Sequence, residues 1–126
     1  MAIIARAIKE LTTKDHFDTI LEDSHDTPVM LLKHSTSCPT SADAFFEFAE
    51  FAALPEAAPI QLALIKVIEQ RDISDHIAES LALRHESPQA ILLYQGQLVW
   101  SESHTRITRD SLLSALSRCQ EAEQSQ

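Results

Sequence analysis

The sequence predicts an α/β domain, a central mixed β-sheet flanked by helices in the order βαβαβαββα. Three observations predict it. Apolar runs of strand length alternate with segments whose apolar residues recur at helical spacing, and such alternation requires crossover connections and an at least partly parallel sheet. Ile60–Ile68 is almost continuously apolar, broken only by Gln61 and Lys66, as suits a strand covered on both faces. Tyr94-Gln95-Gly96-Gln97 separates two apolar runs and holds the single glycine of the chain, where a tight hairpin turn needs positive φ.

Each element has its own signal. Ile8–Leu11 is a short edge strand. Thr12 and Thr13 are good helix caps, and Lys14–Asp23 follows with Phe17, Ile20 and Leu21 on one face. Asp23–Pro28 is polar and ends in proline, a loop. Val29–Lys33 is an apolar strand. From Pro39 to about Phe51, Phe45, Phe48 and Ala49 recur at helical spacing, and core packing explains the phenylalanines. Leu54–Pro59 is a connector. Asp72 or Ser74 caps a third helix to about Leu83, with Ile73, Ile77 and Leu81 four apart. Ser87–Leu93 and Leu98–Ser101 are the arms of the hairpin. Thr108 to about Gln120 is the last helix, with Leu112, Leu113 and Leu116 inward. Residues 1–126 thus form one domain, with a core of about 8–120 and a frayed polar tail at 121–126.

Composition limits the function. The net charge is −9, with no basic patch to neutralise phosphates. Nucleic acid and an anionic membrane surface are therefore not expected partners. No apolar run is long enough to span a bilayer. Met1–Ile8 is apolar but interrupted by Arg6, which does not read as a signal peptide. Two cysteines do not make a disulfide framework, and this usage suits a reducing cytosol. A cytoplasmic location is expected.

The chemistry concentrates at Leu31-Leu32-Lys33-His34-Ser35-Thr36-Ser37-Cys38-Pro39-Thr40-Ser41. A strand ends in hydroxyl-rich residues, and Cys38 then stands at the mouth of a helix. Pro39 sits where a helix tolerates proline best, because the missing N–H would have had no partner. Backbone N–H groups and the positive end of the macrodipole favour a thiolate there, the reactive form of cysteine. The dipole supplies only about 0.3–1 kcal/mol. A free thiol is about 3% ionised at neutral pH, so hydrogen bonds must help. Ser41 can offer a hydroxyl and an N–H, Thr40 an N–H, and His34 a positive charge when protonated. The competing reading makes Cys38 a buried, inert small hydrophobe.

Cys38-Pro39-Thr40-Ser41 resembles the Cys-x-x-Cys of thioredoxin-like redox proteins with serine for the second cysteine. Lys33–Ser41, His85-Glu86-Ser87-Pro88-Gln89-Ala90 and Val99-Trp100-Ser101-Glu102-Ser103-His104 are similar to segments of the YtxJ-type monothiol bacilliredoxins. The resemblance spans about Leu11 to Leu116. Ser37 stands for the family's usual threonine and Thr40 for its isoleucine. The resemblance implies a thioredoxin-like fold and a thiol–disulfide oxidoreductase with Cys38 as the catalytic residue. Thr36, Ser37, Pro39, Thr40, Ser41 and His34 would support it. Pro88 would be a cis proline, so that Ser87 and Pro88 form the substrate loop. Bacillithiol would be the co-substrate, S-bacillithiolated proteins the clients, and no cofactor would be bound.

Other readings compete. A thioredoxin-like binding module could use the proline groove with Cys38 vestigial, or a glutaredoxin-like protein could use another small thiol. The Cys-Gly-Phe-Ser signature of monothiol glutaredoxins is missing. The histidines lack ligand spacing, so no metal site is expected. His85 and His104 read as solvated or structural, Trp100 as packing, and Cys119 as an incidental thiol rather than a resolving one.

Overall fold

A five-stranded sheet carries two helices on each face. The computed structural model describes residues 8–124. The chain runs β1 (Ile8–Glu10), α1 (Lys14–Asp23), β2 (Val29–His34), α2 (Pro39–Ala52), β3 (Gln61–Lys66), α3 (Arg71–Leu81), β4 (Gln89–Tyr94), β5 (Gln97–Ser103) and α4 (Arg109–Gln124). Short 3₁₀ turns lie at Pro55–Ala57 and His104–Arg106. The sheet order is β1-β3-β2-β4-β5. β1, β3 and β2 are parallel, whereas β4 and β5 are antiparallel. The predicted order of elements and the mixed sheet are both present.

Strand alternation assigns the faces. Met30 and Leu32 of β2 point into a core with Phe48 and Phe51 of α2 and Leu112 and Leu116 of α4. Val29 and Leu31 point the other way, onto Phe17 and Ile20 of α1 and Ile73 and Ile77 of α3. β2 and β4 are interior strands and almost wholly buried, as their apolar runs Val29–Leu32 and Ala90–Leu93 require.

Local chemistry sets the boundaries. Thr13 caps α1, its side chain accepting the His16 N–H at 3.1 Å. Thr108 and Ser111 exchange side-chain bonds with each other's N–H at 3.0 Å, a reciprocal cap for α4. At the hairpin Gln95 and Gly96 both have positive φ, 57° and 76°. A Cβ on Gly96 would lie 2.5 Å from the His25 ring, so glycine serves both the turn and a close approach.

The structure departs from expectation in four places. β3 stops at Lys66 rather than reaching Ile68. There Gln70 accepts the Lys66 N–H on its Oε1 at 2.9 Å and donates its own N–H to the Lys66 carbonyl at 2.8 Å. Gln70, not Asp72 or Ser74, holds the cap position of α3, and it makes no side-chain cap bond. The second arm of the hairpin is longer than Leu98–Ser101. The expected tail at 121–126 continues α4 to Gln124, since alanine, glutamate and glutamine favour helix. Residues 1–7, most of the apolar Met1–Ile8 stretch, and residues 125–126 lie outside the described residues.

Candidate active site

β2 delivers the chain to the site. Past His34 the ladder ends, and Thr36 and Ser37 form an exposed turn. The Cys38 N–H donates back to the Ser35 carbonyl at 3.4 Å. Cys38 is extended, with φ −112° and ψ 122°, and holds the cap position of α2, with Pro39 in the first turn. The Ala42 N–H donates to the Cys38 carbonyl at 3.1 Å, starting the helix. The expected strand, cysteine, proline and helix therefore occur in that order, and the thiol is free and half-buried.

Ser41 and His34 do something other than expected. Ser41 is wholly buried. Its Oγ accepts the Ser35 N–H at 2.8 Å and lies 2.9 Å from His34 Nδ1. Burial, the dominant cause, holds the His34 pKa below its ordinary value, while hydrogen bonding at Ser41 and the charge of Glu69 oppose the shift. The ring is therefore neutral near pH 7 and packs on Phe45, with centroids 5.2 Å apart. A ring protonated on Nε2 accepts the Ser41 hydroxyl, which gives a chain from the Ser35 N–H through Ser41 to His34. These residues brace the turn from beneath. The surroundings of His34 disfavour its charged form.

The second segment arrives through β4. β2 and β4 pair with Lys33 opposite Gln89, so Pro88 lies at the end of the sheet where Cys38 follows β2. The Ser87–Pro88 bond is cis. Pro88 is buried, and its carbonyl accepts the His104 N–H at 3.1 Å. The third segment is thereby tied to the second. Ser87 Oγ and Gln89 Oε1 are buried with no hydrogen-bond partner.

The remaining candidates scatter. His85 is exposed, with Nδ1 3.2 Å from Ser74 Oγ. Trp100 and Cys119 are partly buried against the core between α2, α4 and the sheet. Cys119 is not disulfide-bonded to Cys38. Among the described residues no group of three or more histidine, cysteine, aspartate or glutamate side chains is placed to hold a metal ion. No helix among them is long and apolar enough to cross a membrane.

One residue of interest is hidden from sequence reasoning. Lys33 is 1% exposed and faces α3, away from α2. Burial lowers its pKa from 10.5 to about 8 against the opposing charges of Asp75 and Glu86. The only available signal was a lysine inside an otherwise apolar strand.

The model of a known family, described as monothiol bacilliredoxin BrxC, matches residues 9–112. The chain belongs to the monothiol bacilliredoxin family. It is also similar to a solved structure described as a candidate oxidoreductase with a thioredoxin fold, at 35% identity and a TM-score of 0.77. That match covers 86% of this chain and 92% of the other. The thioredoxin of Malassezia sympodialis matches at 16% identity over 94% of this chain and 96% of its own, with a TM-score of 0.73. Thioredoxin f of spinach chloroplast matches at 19% over 95% and 98%, with a TM-score of 0.71. These two establish the fold. Family and fold together support a thioredoxin-fold thiol oxidoreductase, and the bacilliredoxin match extends across all the segments just described.

Proposed function

We propose that the protein is a bacilliredoxin that removes bacillithiol from S-bacillithiolated proteins through a mixed disulfide on Cys38. One observation carries this reading. Among the described residues Cys38 is the only sulfur at the strand–helix junction, and Ser41, three residues on, is buried with its oxygen already bonded to Ser35 and His34. A serine cannot displace a disulfide, so the second half of the cycle takes its thiol from solution.

The exchange balances as follows. The Cys38 thiolate attacks the bacillithiol sulfur of a protein–S–S–bacillithiol adduct, and the client leaves as a thiolate that takes a proton. A second bacillithiol, as thiolate, attacks the same sulfur. Cys38 leaves reduced, and bacillithiol disulfide carries away the oxidation. The exposed Thr36–Ser37 turn and the exposed Pro39 leave room for the incoming disulfide beside the half-buried sulfur. The Thr40 and Ser41 N–H groups open that turn, where a developing negative charge is favoured. Thr36, Ser37, Pro39 and Thr40 form the rim. Polar backbone near Ser87, ahead of the cis Pro88, suits an extended client segment. The reaction needs no bound cofactor and fits a reducing cytoplasm.

Mass spectrometry tests the reading. Reduced protein mixed with an S-bacillithiolated client is expected to gain one bacillithiol on Cys38, and free bacillithiol is expected to remove it. Cys38→Ser should keep the fold and lose the transfer. Transfer that survives Cys38→Ser, or an adduct found only on Cys119, refutes the proposal.

A further inference from the structure

Helix α2 carries more aromatic surface than the core takes up. Phe48 and Phe51 are fully buried in the core shared with α4. Phe45 and Phe46 are 36% and 61% exposed, two of the four large apolar side chains left open to solvent among the described residues. A single such residue is ordinary on a protein surface, but neighbours that form a continuous apolar face point to an interaction site.

This face is in line with the thiol. An α-helix turns about 100° per residue, so Ala42, Phe45, Phe46 and Ala49 fall within roughly 100° of arc, and Cys38 at the helix mouth lies inside that arc. Ala42 is exposed and Ala49 half-buried. The buried residues Ser41, Ala44, Phe48 and Phe51 occupy the neighbouring arc. At a rise of about 1.5 Å per residue, Phe46 lies roughly 12 Å along the axis from Cys38. Phe45 anchors the near end of the face. Its ring packs on His34 with centroids 5.2 Å apart, and His34 Nδ1 lies 2.9 Å from Ser41 Oγ.

The far border of the face is acidic. α2 holds Asp43, Glu47 and Glu50 and no basic residue. Glu47 Oε1 accepts the Arg109 N–H at 2.7 Å, whereas Asp43 and Glu50 are exposed. A partner lying on Phe46 meets these carboxylates at its edge. In a chain of net charge −9, that border favours a positive partner and disfavours a second copy of the same chain.

We propose that this face of α2 docks the polypeptide segment beside the client's modified cysteine, with an apolar side chain on Phe46 and a lysine or arginine beside Glu50. This docking rests on the reading of Cys38 as the exchange site. An extended chain covers about 3.3 Å per residue, so the apolar residue stands about four residues from the client cysteine.

The experiment follows adduct transfer to Cys38 of the full chain by mass spectrometry, from bacillithiol-modified peptides of equal length. Two peptides carry leucine four residues from the cysteine with arginine next to it, one on the N-terminal side and one on the C-terminal side. Control peptides have serine for leucine, or glutamate for arginine. Bis(2-hydroxyethyl) disulfide, too short to reach Phe46, reports the reactivity of the thiol alone. The better leucine–arginine peptide is expected to react about tenfold faster than either of its controls, equivalent to ~1.4 kcal/mol. Phe46→Ser should abolish the leucine preference and leave the rate with the small disulfide unchanged. Glu50→Lys should reverse the preference for arginine over glutamate. Equal rates across the peptides, a preference that its variant leaves unchanged, or a Phe46→Ser loss that the small disulfide shares overturns the docking assignment while Cys38 still reacts. A wild-type dimer in sedimentation that Phe46→Ser dissociates also overturns it, by giving the face to a second copy. If no disulfide modifies Cys38, the functional reading itself fails, and this inference with it.

Discussion

Replacing Lys33 by methionine isolates the cost of a single buried charge. Methionine keeps the unbranched stem and fits an apolar interior. The lysine pKa falls from 10.5 to about 8 on folding, roughly 2.5 units, which corresponds to about 3 kcal/mol of preference for the neutral amine. The sign follows from proton counts. Below about pH 8 both states carry the proton, and the folded state bears the whole burial penalty. Between about 8 and 10.5 the unfolded chain binds more protons than the folded one, so stability rises with pH. Above that range both amines are neutral and the penalty is gone. Urea unfolding of wild type and Lys33→Met at pH 7 and pH 10.5 reads the effect directly, and the difference between the two proteins cancels the other titrating groups. The variant is expected to be the more stable by up to about 3 kcal/mol at pH 7, with most of the gap closing at pH 10.5. A gap that is the same at both pH values, or a variant less stable at pH 7, refutes the assignment of Lys33 as a desolvated charge.

Three further outcomes are expected. Ser41→Cys should lose roughly 1–2 kcal/mol, because sulfur is a weak acceptor for the Ser35 N–H. The same variant gives Cys38 a partner three residues away, so mild oxidation should remove two hydrogens from the protein, a mass change that the wild type lacks. Gly96→Ala should cost about 1 kcal/mol in urea unfolding, since φ is +76° there and the half-exposed His25 ring can move aside. His34 is held below its ordinary value of 6.5 by burial, so its contribution is present above pH 6.5 and fades as the pH falls through the folded value. The urea midpoint should drop between pH 7 and pH 5, and His34→Gln should reduce that drop.

How far the chain could be read in advance follows from which forces are local. Strand and helix order was legible because apolar period and turn chemistry are written residue by residue: Thr13 before α1, the strand of Val29–Lys33, Gly96 at the hairpin. Cys38 could be placed at a helix mouth for the same reason, since Pro39 marks the first turn. The partners of Ser41 were not legible. They depend on the path of the Ser35–Cys38 turn, which brings a main-chain N–H and an imidazole to one hydroxyl. The cap of α3 was missed because Gln70 bonds backward to Lys66 and so closes the strand end, a role no cap preference describes. Lys33 was hidden because an alternating pattern shows which way a side chain points, but not what stands opposite it. Only the fold sets Asp75, His85, Glu86 and Gln89 around it.

These points bear on why the site has one sulfur. In a dithiol motif the residue three past the nucleophile is reserved for chemistry. Here that position is spent on structure, because Ser41 is buried and joins the end of β2 to the start of α2 through Ser35 and His34. The neutral His34 ring sits over Phe45 and belongs to the same brace. With no second thiol at this position, the exchange proposed for Cys38 takes its second thiol from solution.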